Sequence, residues 1–233
     1  MNTFFLALFQ PIKTFGELKT SDKSSAMSLI ALLFLMLLNL ILMIPVTEKV
    51  LQITLSSMPL NPNQTSMTIE IAHKMRYLQI VGVIIMYFVM ILFYALVFYL
   101  SVYIAKDRLS YKKALQLIVY SYFIVVIGDL ANTALLHLRG LDAITNMHDI
   151  YITGFNMLTS IEQIGATGYV FLSCINPFQL WFVVLLSIGL RIFTDMKPVK
   201  AIIICVMFWL ITTLFPVLSV YFSESTFAKA GVM

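Results

Sequence analysis

At 233 residues the chain is long enough for one domain or at most two. Hydrophobic residues make up 61% of it, charged residues 11%, and mean hydropathy is +0.95, against about half and about a quarter in an ordinary soluble domain; the excess apolar surface fits a membrane and excludes a disordered tail, a coiled coil, a collagen-like fibre and a disulfide-stapled module. Net charge is +4, but the 15 Lys and Arg are dispersed, which excludes a nucleic-acid-binding stripe and points to insertion topology instead.

The first 25 residues predict an amphipathic N-terminal interfacial segment. Met1 to Phe9 has no basic start and no small-residue cleavage site before Pro11, so a signal peptide is not expected. Phe4, Phe5, Leu8 and Phe9 suggest a short piece lying at the interface. After Pro11, the residues Ile12, Phe15 and Leu18 share one helical face. That helix either lies on the inner membrane surface or packs against the bundle.

Residues 26–233 predict a membrane domain of five spans, since a ~30 Å core crossed at 1.5 Å per residue needs about 20 apolar residues. The spans are 26–46 (closed by Pro45), 78–105, 114–136, 177–193 and 200–222. None shows the strict alternation of a barrel strand, so the fold class is an all-α bundle of five transmembrane helices plus short interfacial helices. The fourth span is short and could begin near Val170, although Asn176-Pro177 has the chemistry of a helix start. Between spans one and two, Pro59, Asn61, Pro62 and Asn63 predict a turn between two helical halves. Residues 137–176 are long enough to carry short outer-surface or re-entrant helices.

Basic residues orient the bundle. With the N-terminus in the cytoplasm, ten lie inside: Lys13, Lys19 and Lys23, then Lys106, Arg108, Lys112 and Lys113, then Arg191, Lys197 and Lys200. Five lie outside: Lys49, Lys74, Arg76, Arg139 and Lys229. The rule that short cytoplasmic loops are basic therefore predicts a cytoplasmic N-terminus and an external C-terminus. A faint repeat accompanies this: residues 97–102 echo 183–188, and Lys113-Ala114 matches Lys200-Ala201. It fits a parallel duplication of two hairpins, or simply the shared constraints on hairpins.

Chemistry-bearing motifs are few. Cys174 and Cys205 fall near opposite ends of the bundle, which argues against a disulfide. His73, His137 and His148 lie outside with Glu70, Asp142, Asp149 and Glu162, but no metal-ligand spacing is present and no metal is expected. No nucleophile elbow, P-loop or dinucleotide fingerprint occurs, so no catalytic residue and no cofactor can be named. Asn63-Gln64-Thr65 fits the glycosylation pattern, a match that chance also yields.

The polar residues inside spans carry the most information. Asp129 and Asn132 sit one turn apart in span three, beside Gly128. A carboxylate at a helix centre costs about 2.5 to 3.5 kcal/mol. Counting from Ala114, Asp129 is about 22 Å along, in the outer third of the core, where the cost is lower. Asp129 and Asn132 are thus a candidate intramembrane polar site, either a structural hydrogen bond to a neighbouring helix or part of an ion or proton path. Asn39 is expected to join helices. Thr212 and Thr213 stand where their hydroxyls could compensate the carbonyl left unpaired by Pro216.

The stretches "FQPIKTFGELK" and "NPFQLWFVVLLSIGLRIFTDMKPVKAIIICVMFWLITTLFP" resemble the Yip family, the Rab-interacting membrane proteins of secretory membranes and their bacterial relatives. The resemblance is carried by Pro11 and Phe15, by Pro177, Phe178 and Trp181 at the start of the fourth span, by Gly189 near its end, and by Lys200 and Ala201 opening the fifth. It implies five spans and a cytoplasmic N-terminus. The chain lacks the long polar N-terminal region and the Asp-Leu-Tyr-Gly type motif of eukaryotic members, which points to the bacterial branch and a bacterial cytoplasmic membrane, and removes the grounds for Rab binding. The expected function is a non-enzymatic, multi-pass protein acting through membrane lipid, other membrane proteins or itself as a homo-oligomer. The alternatives are a small transporter or channel subunit with a polar path at Asp129 and Asn132, and an intramembrane enzyme, for which no nucleophile and base pair can be named.

Overall fold

The structure, a computed structural model, describes residues 2–20, 26–56, 62–145 and 149–229. Among these there are helices and no strand: α1 (Asn2–Phe9), α2 (Pro11–Thr20), α3 (Ala26–Leu42), α4 (Ile44–Ser56), α5 (Pro62–Ile104), α6 (Tyr111–Arg139), α7 (Ile161–Cys174), α8 (Pro177–Thr194) and α9 (Pro198–Lys229), with single 3-10 turns at Leu141–Ala143 and Phe155–Leu158. Four segments are long and apolar enough to cross a membrane, Leu78–Ile104, Tyr111–Arg139, Pro177–Thr194 and Pro198–Phe222, or five if α3 and α4 form one bent span. The chain is an all-α, multi-pass membrane protein.

Proline sets the break in the first span. Expected to run through residue 46, the helix stops at Leu42, and α4 continues at a bend of 46°. Pro45 has no N–H and its ring crowds the carbonyl four residues back, so it fits the first turn of a new helix better than the interior of an old one. His137 closes the exposed end of α3, its Nε2 donating to the Leu42 carbonyl at 2.8 Å. The second span is part of a longer helix. With 43 residues, α5 measures about 65 Å, twice the hydrocarbon thickness, so its first turns project beyond the apolar run at Leu78–Ile104. Pro62 opens α5; Pro59 and Asn61 of the expected turn, like His148, lie outside the described residues.

The helix α6 is the centre of the bundle. Within its apolar window 61% of residues are buried, against 11% in α5 and 28% in α9. It packs on α3, α5 and α8; α9 closes against α8 and α5, and α7 lies on α9. Because lipid tails are as apolar as leucine, close packing rather than the hydrophobic effect holds such helices together. One aromatic cluster shows this. Phe98 of α5 meets Phe208 of α9 edge to face at 5.3 Å, and Tyr122 of α6 meets Phe182 of α8 at 5.9 Å.

The small amphipathic helix α2 joins the bundle rather than lying apart from it. Thr14, Phe15 and Leu18 are buried, and the helix packs on α8. Ile12 does not belong to this stripe: it is 71% exposed. The buried face is centred one residue beyond the expected one, because Phe15 enters a notch at Gly189.

The two short hairpins, α5–α6 and α8–α9, turn at the same end of the bundle as α2, and lysines lock that end. Lys113 donates to the carbonyls of Leu18 and Lys19 at 2.8 and 3.2 Å and lies 5.2 Å above the Phe193 ring. Lys200 donates to the Ala105 carbonyl at 2.7 Å and pairs with Asp107. Each lysine opens one helix and neutralises the negative end of another. The neighbouring Ala114 and Ala201 are buried, so the Lys-Ala repeat is one device used at two hairpins. The helices around it differ in register: the repeated serines, Ser101 and Ser187, bond back to the carbonyls of Val97 and Val183, but Ser101 is three residues from its helix end and Ser187 seven.

Candidate functional site

The positions that carry the family resemblance converge on α8 and its neighbours. Pro11 and Pro177 each begin a helix. Asn176 caps α8, its Oδ1 accepting from the Gln179 amide at 2.9 Å. Phe178 then lies over Gly128 of α6 so closely that a Cβ on the glycine would sit 2.6 Å from the ring. At the other end of α8, a Cβ on Gly189 would collide with Leu117 of α6 and sit 3.3 Å from the Phe15 ring. Eleven residues separate Leu117 from Gly128, and eleven separate Phe178 from Gly189. The two notches therefore match in antiparallel register, about 16 Å apart along the helices. Phe15 is fully buried, edge to face with Phe193 at 6.5 Å. Trp181 is 41% exposed on the outer flank of α8, as suits an amphipathic ring near the membrane interface.

The intramembrane pair separates into two different roles. Asn132 faces the segment after Ile150: its Nδ2 donates to the Ile150 carbonyl at 2.8 Å and its Oδ1 accepts from the Ile152 amide at 3.0 Å. It pins the loop ahead of α7 to the central helix. That loop is also held from its far side, where the Phe155 amide donates to the Ile175 carbonyl at 3.0 Å, and Gly154 lies against the Ser173 carbonyl with no room for a side chain. The Asp129 carboxylate makes no hydrogen bond or ion pair to the described residues, its backbone carbonyl accepting from the Thr133 hydroxyl at 2.9 Å, and the residue is exposed on the flank of α6. The interhelical hydrogen bond expected of it is made instead by its neighbours, Thr133 donating to Asn39 Oδ1 at 2.7 Å. Asp129 is within electrostatic range of Tyr87, Tyr122 and Tyr151. Partial burial, helped by Cys174 and then by Asp129, raises the Tyr151 phenol above its ordinary value, so it remains a neutral hydroxyl at pH 7.

Thr212 also departs from expectation. Its hydroxyl donates to the Trp209 carbonyl at 2.9 Å, one turn before the carbonyl that Pro216 leaves unpaired. The acids expected on the outer side are distributed among separate partners: Asp142 pairs with Lys49 at 3.3 Å, Glu70 with Lys74 at 2.6 Å, and Asp149 accepts from Thr145 at 2.8 Å. Among the described residues no three His, Cys, Asp or Glu side chains converge on a metal-sized point.

Clefts indent the described surface at the two short hairpins, between α8 and α9, and between α4 and α5; Asp129 lines none of these. Sequence reasoning missed the Gly128–Phe178 notch and the role of Lys113 as a helix cap. The first needed the pairing of α6 with α8; the second had left a trace in the Lys-Ala repeat. No curated protein and no solved structure matches the chain. The family model described as Yip1 domain matches residues 5–220, from the middle of α1 to the last turns of α9, and so takes in both glycine notches and the α2 contact: the chain belongs to the Yip family.

Proposed function

We propose that this chain is a non-enzymatic Yip-type protein of a bacterial cytoplasmic membrane, acting by contact with lipid, with other membrane proteins or with a second copy of itself. The observation that carries this reading is where its polar groups go. Asn39, Thr133 and Asn132 hold helices and a loop together, the interior around α6 is mainly apolar with the polar Gln116 and Ser121 buried in it, and the clefts open outward at the flanks and ends. Such a bundle offers surfaces, not a path. The orientation that fits is a cytoplasmic N-terminus, because α2 and both lysine-locked hairpins occupy one end. A reporter inserted near Ser110 is expected to be cytoplasmic and one fused after Met233 exported; the reverse labelling would overturn it.

The transporter alternative is favoured by one observation, the unpartnered carboxylate of Asp129. It predicts a pH-dependent flux in reconstituted vesicles that Asp129→Asn abolishes while the fold survives. On the contact reading, vesicles with wild-type protein and with Asp129→Asn leak protons equally. Thermal stability is then also unchanged, because no hydrogen-bond partner is left unsatisfied. A flux present in the wild type and lost in the Asn variant would defeat the contact reading.

A further inference from the structure

Where α8 turns into α9, the helices leave a cleft of about 650 Å³ whose lining includes Ile12, Lys19, Arg191, Asp195, Met196 and Lys197. A second, apolar groove of about 240 Å³ follows the same two helices along Val183, Val184, Ser187, Ile188 and Ile202. Ile188, Arg191 and Pro198 line both, so the basic cleft and the apolar groove adjoin. The groove faces outward from the bundle: Val184 is 41% exposed and Ile202 50%.

We infer that this continuous surface binds one anionic phospholipid, with an acyl chain along the α8–α9 groove and the phosphate held by Arg191 and Lys197. The charge at its basic end decides between lipid classes. Of the charged groups among the described residues that line the cleft, Asp195 is the only acid, and it already accepts from Lys19 at 2.7 Å. Arg191 and Lys197 make no ion pair within the described residues and both are exposed, leaving two positive charges for an incoming headgroup. Arg191 lies in the last turn of α8, where a long side chain can reach from the apolar flank to headgroup depth. A zwitterionic headgroup carries its own cation and gains little there; a net anion gains from both groups. The apolar groove makes the ligand a lipid rather than a free phosphate.

The inference rests on the reading of the chain as a contact protein and names one of its partners. For the test, the full chain is stripped of lipid in detergent and offered a phosphatidylglycerol, a phosphatidylcholine with the same acyl chains, or inorganic phosphate, and retained ligand is counted by native mass spectrometry. Phosphatidylglycerol should be retained roughly tenfold or more over phosphatidylcholine, and the R191Q/K197Q variant should lose that preference. R191K/K197R should keep most of it, and V184W, which fills the groove, should lose both lipids; these two keep the test open if R191Q/K197Q fails to fold. Equal retention of the two lipids by the wild type, a preference surviving R191Q/K197Q, or displacement of phosphatidylglycerol by an equal concentration of phosphate would each overturn the assignment. Its failure is separable from that of the contact reading: equal lipid retention sinks the site and leaves vesicle flux untouched, whereas a flux lost in Asp129→Asn sinks the contact reading whatever the lipid preference.

Discussion

Replacing Phe15 by Asp is expected to destabilise the protein by more than the ~3 to 5 kcal/mol that truncating a buried Phe usually costs. The ring is fully buried, fills the notch at Gly189 and meets Phe193 edge to face. Aspartate would leave a cavity and bury a carboxylate beside Gly189 and the Phe193 ring, where it would be forced to take up a proton, to compete for Lys113, which already holds the Leu18 and Lys19 carbonyls, or to pull α2 away. Phe15→Leu separates the two effects, because it keeps the apolar character and loses only shape, and should lie well below the Asp variant. Glu17 lies on the exposed side of α2, and Glu17→Gln should stay within about 0.5 kcal/mol of the wild type. Thermal unfolding in detergent checks all three. Equal tolerance of Phe15→Asp and Glu17→Gln would mean that α2 does not dock on α8.

The second large effect is expected at Gly128. Alanine is a better helix former than glycine by about 1 kcal/mol, so local propensity alone predicts that Gly128→Ala stabilises α6. Packing predicts the opposite sign. The added methyl would lie 2.6 to 2.8 Å from three atoms of Phe178, its Cβ among them, and a Cβ cannot move without its backbone. Overpacking of this kind costs about 1 to 3 kcal/mol, which outweighs the propensity gain, and Gly128→Val should cost more. Combining Gly128→Ala with Phe178→Ala should recover the part of the loss that comes from the ring atoms, the contact with the remaining Cβ being kept. A stabilised Gly128→Ala, or a double variant whose loss is simply the sum of the two singles, would show that α6 and α8 do not meet at this notch.

These two sites give a physical meaning to positions that the family resemblance had only marked. Phe15, Phe178 and Gly189 fix how closely α2, α6 and α8 approach, and Lys200 closes the end of α5. They are joints of the bundle, and they leave the outward flank of α8 with Trp181 and Val184 exposed.

What the sequence determined by itself follows from local physics. A run of about 20 apolar residues has to become a membrane helix, because no other structure satisfies its backbone in lipid; the spans near 78–105, 114–136, 177–193 and 200–222 were therefore legible, as was the start of α8 at Asn176-Pro177, where cap and proline act on adjacent residues. Dispersed lysines at short hairpins were legible for the same reason. Pro45 was visible, but whether it closes a span or begins a bent second half depends on what α4 can pack against, and the 46° bend answers that. The candidate site needed the tertiary structure almost entirely. Sequence put Asp129 and Asn132 on one helical face; only the fold brought Ile150 and Ile152 to Asn132 and left Asp129 beside them without a partner. Likewise Gly128 and Phe178 are 50 residues apart in the chain, and their contact exists because α6 and α8 cross in one antiparallel register. Helix formation is decided within a turn or two of each residue, whereas a notch, a latch or a groove is a relation between helices, which no local pattern encodes.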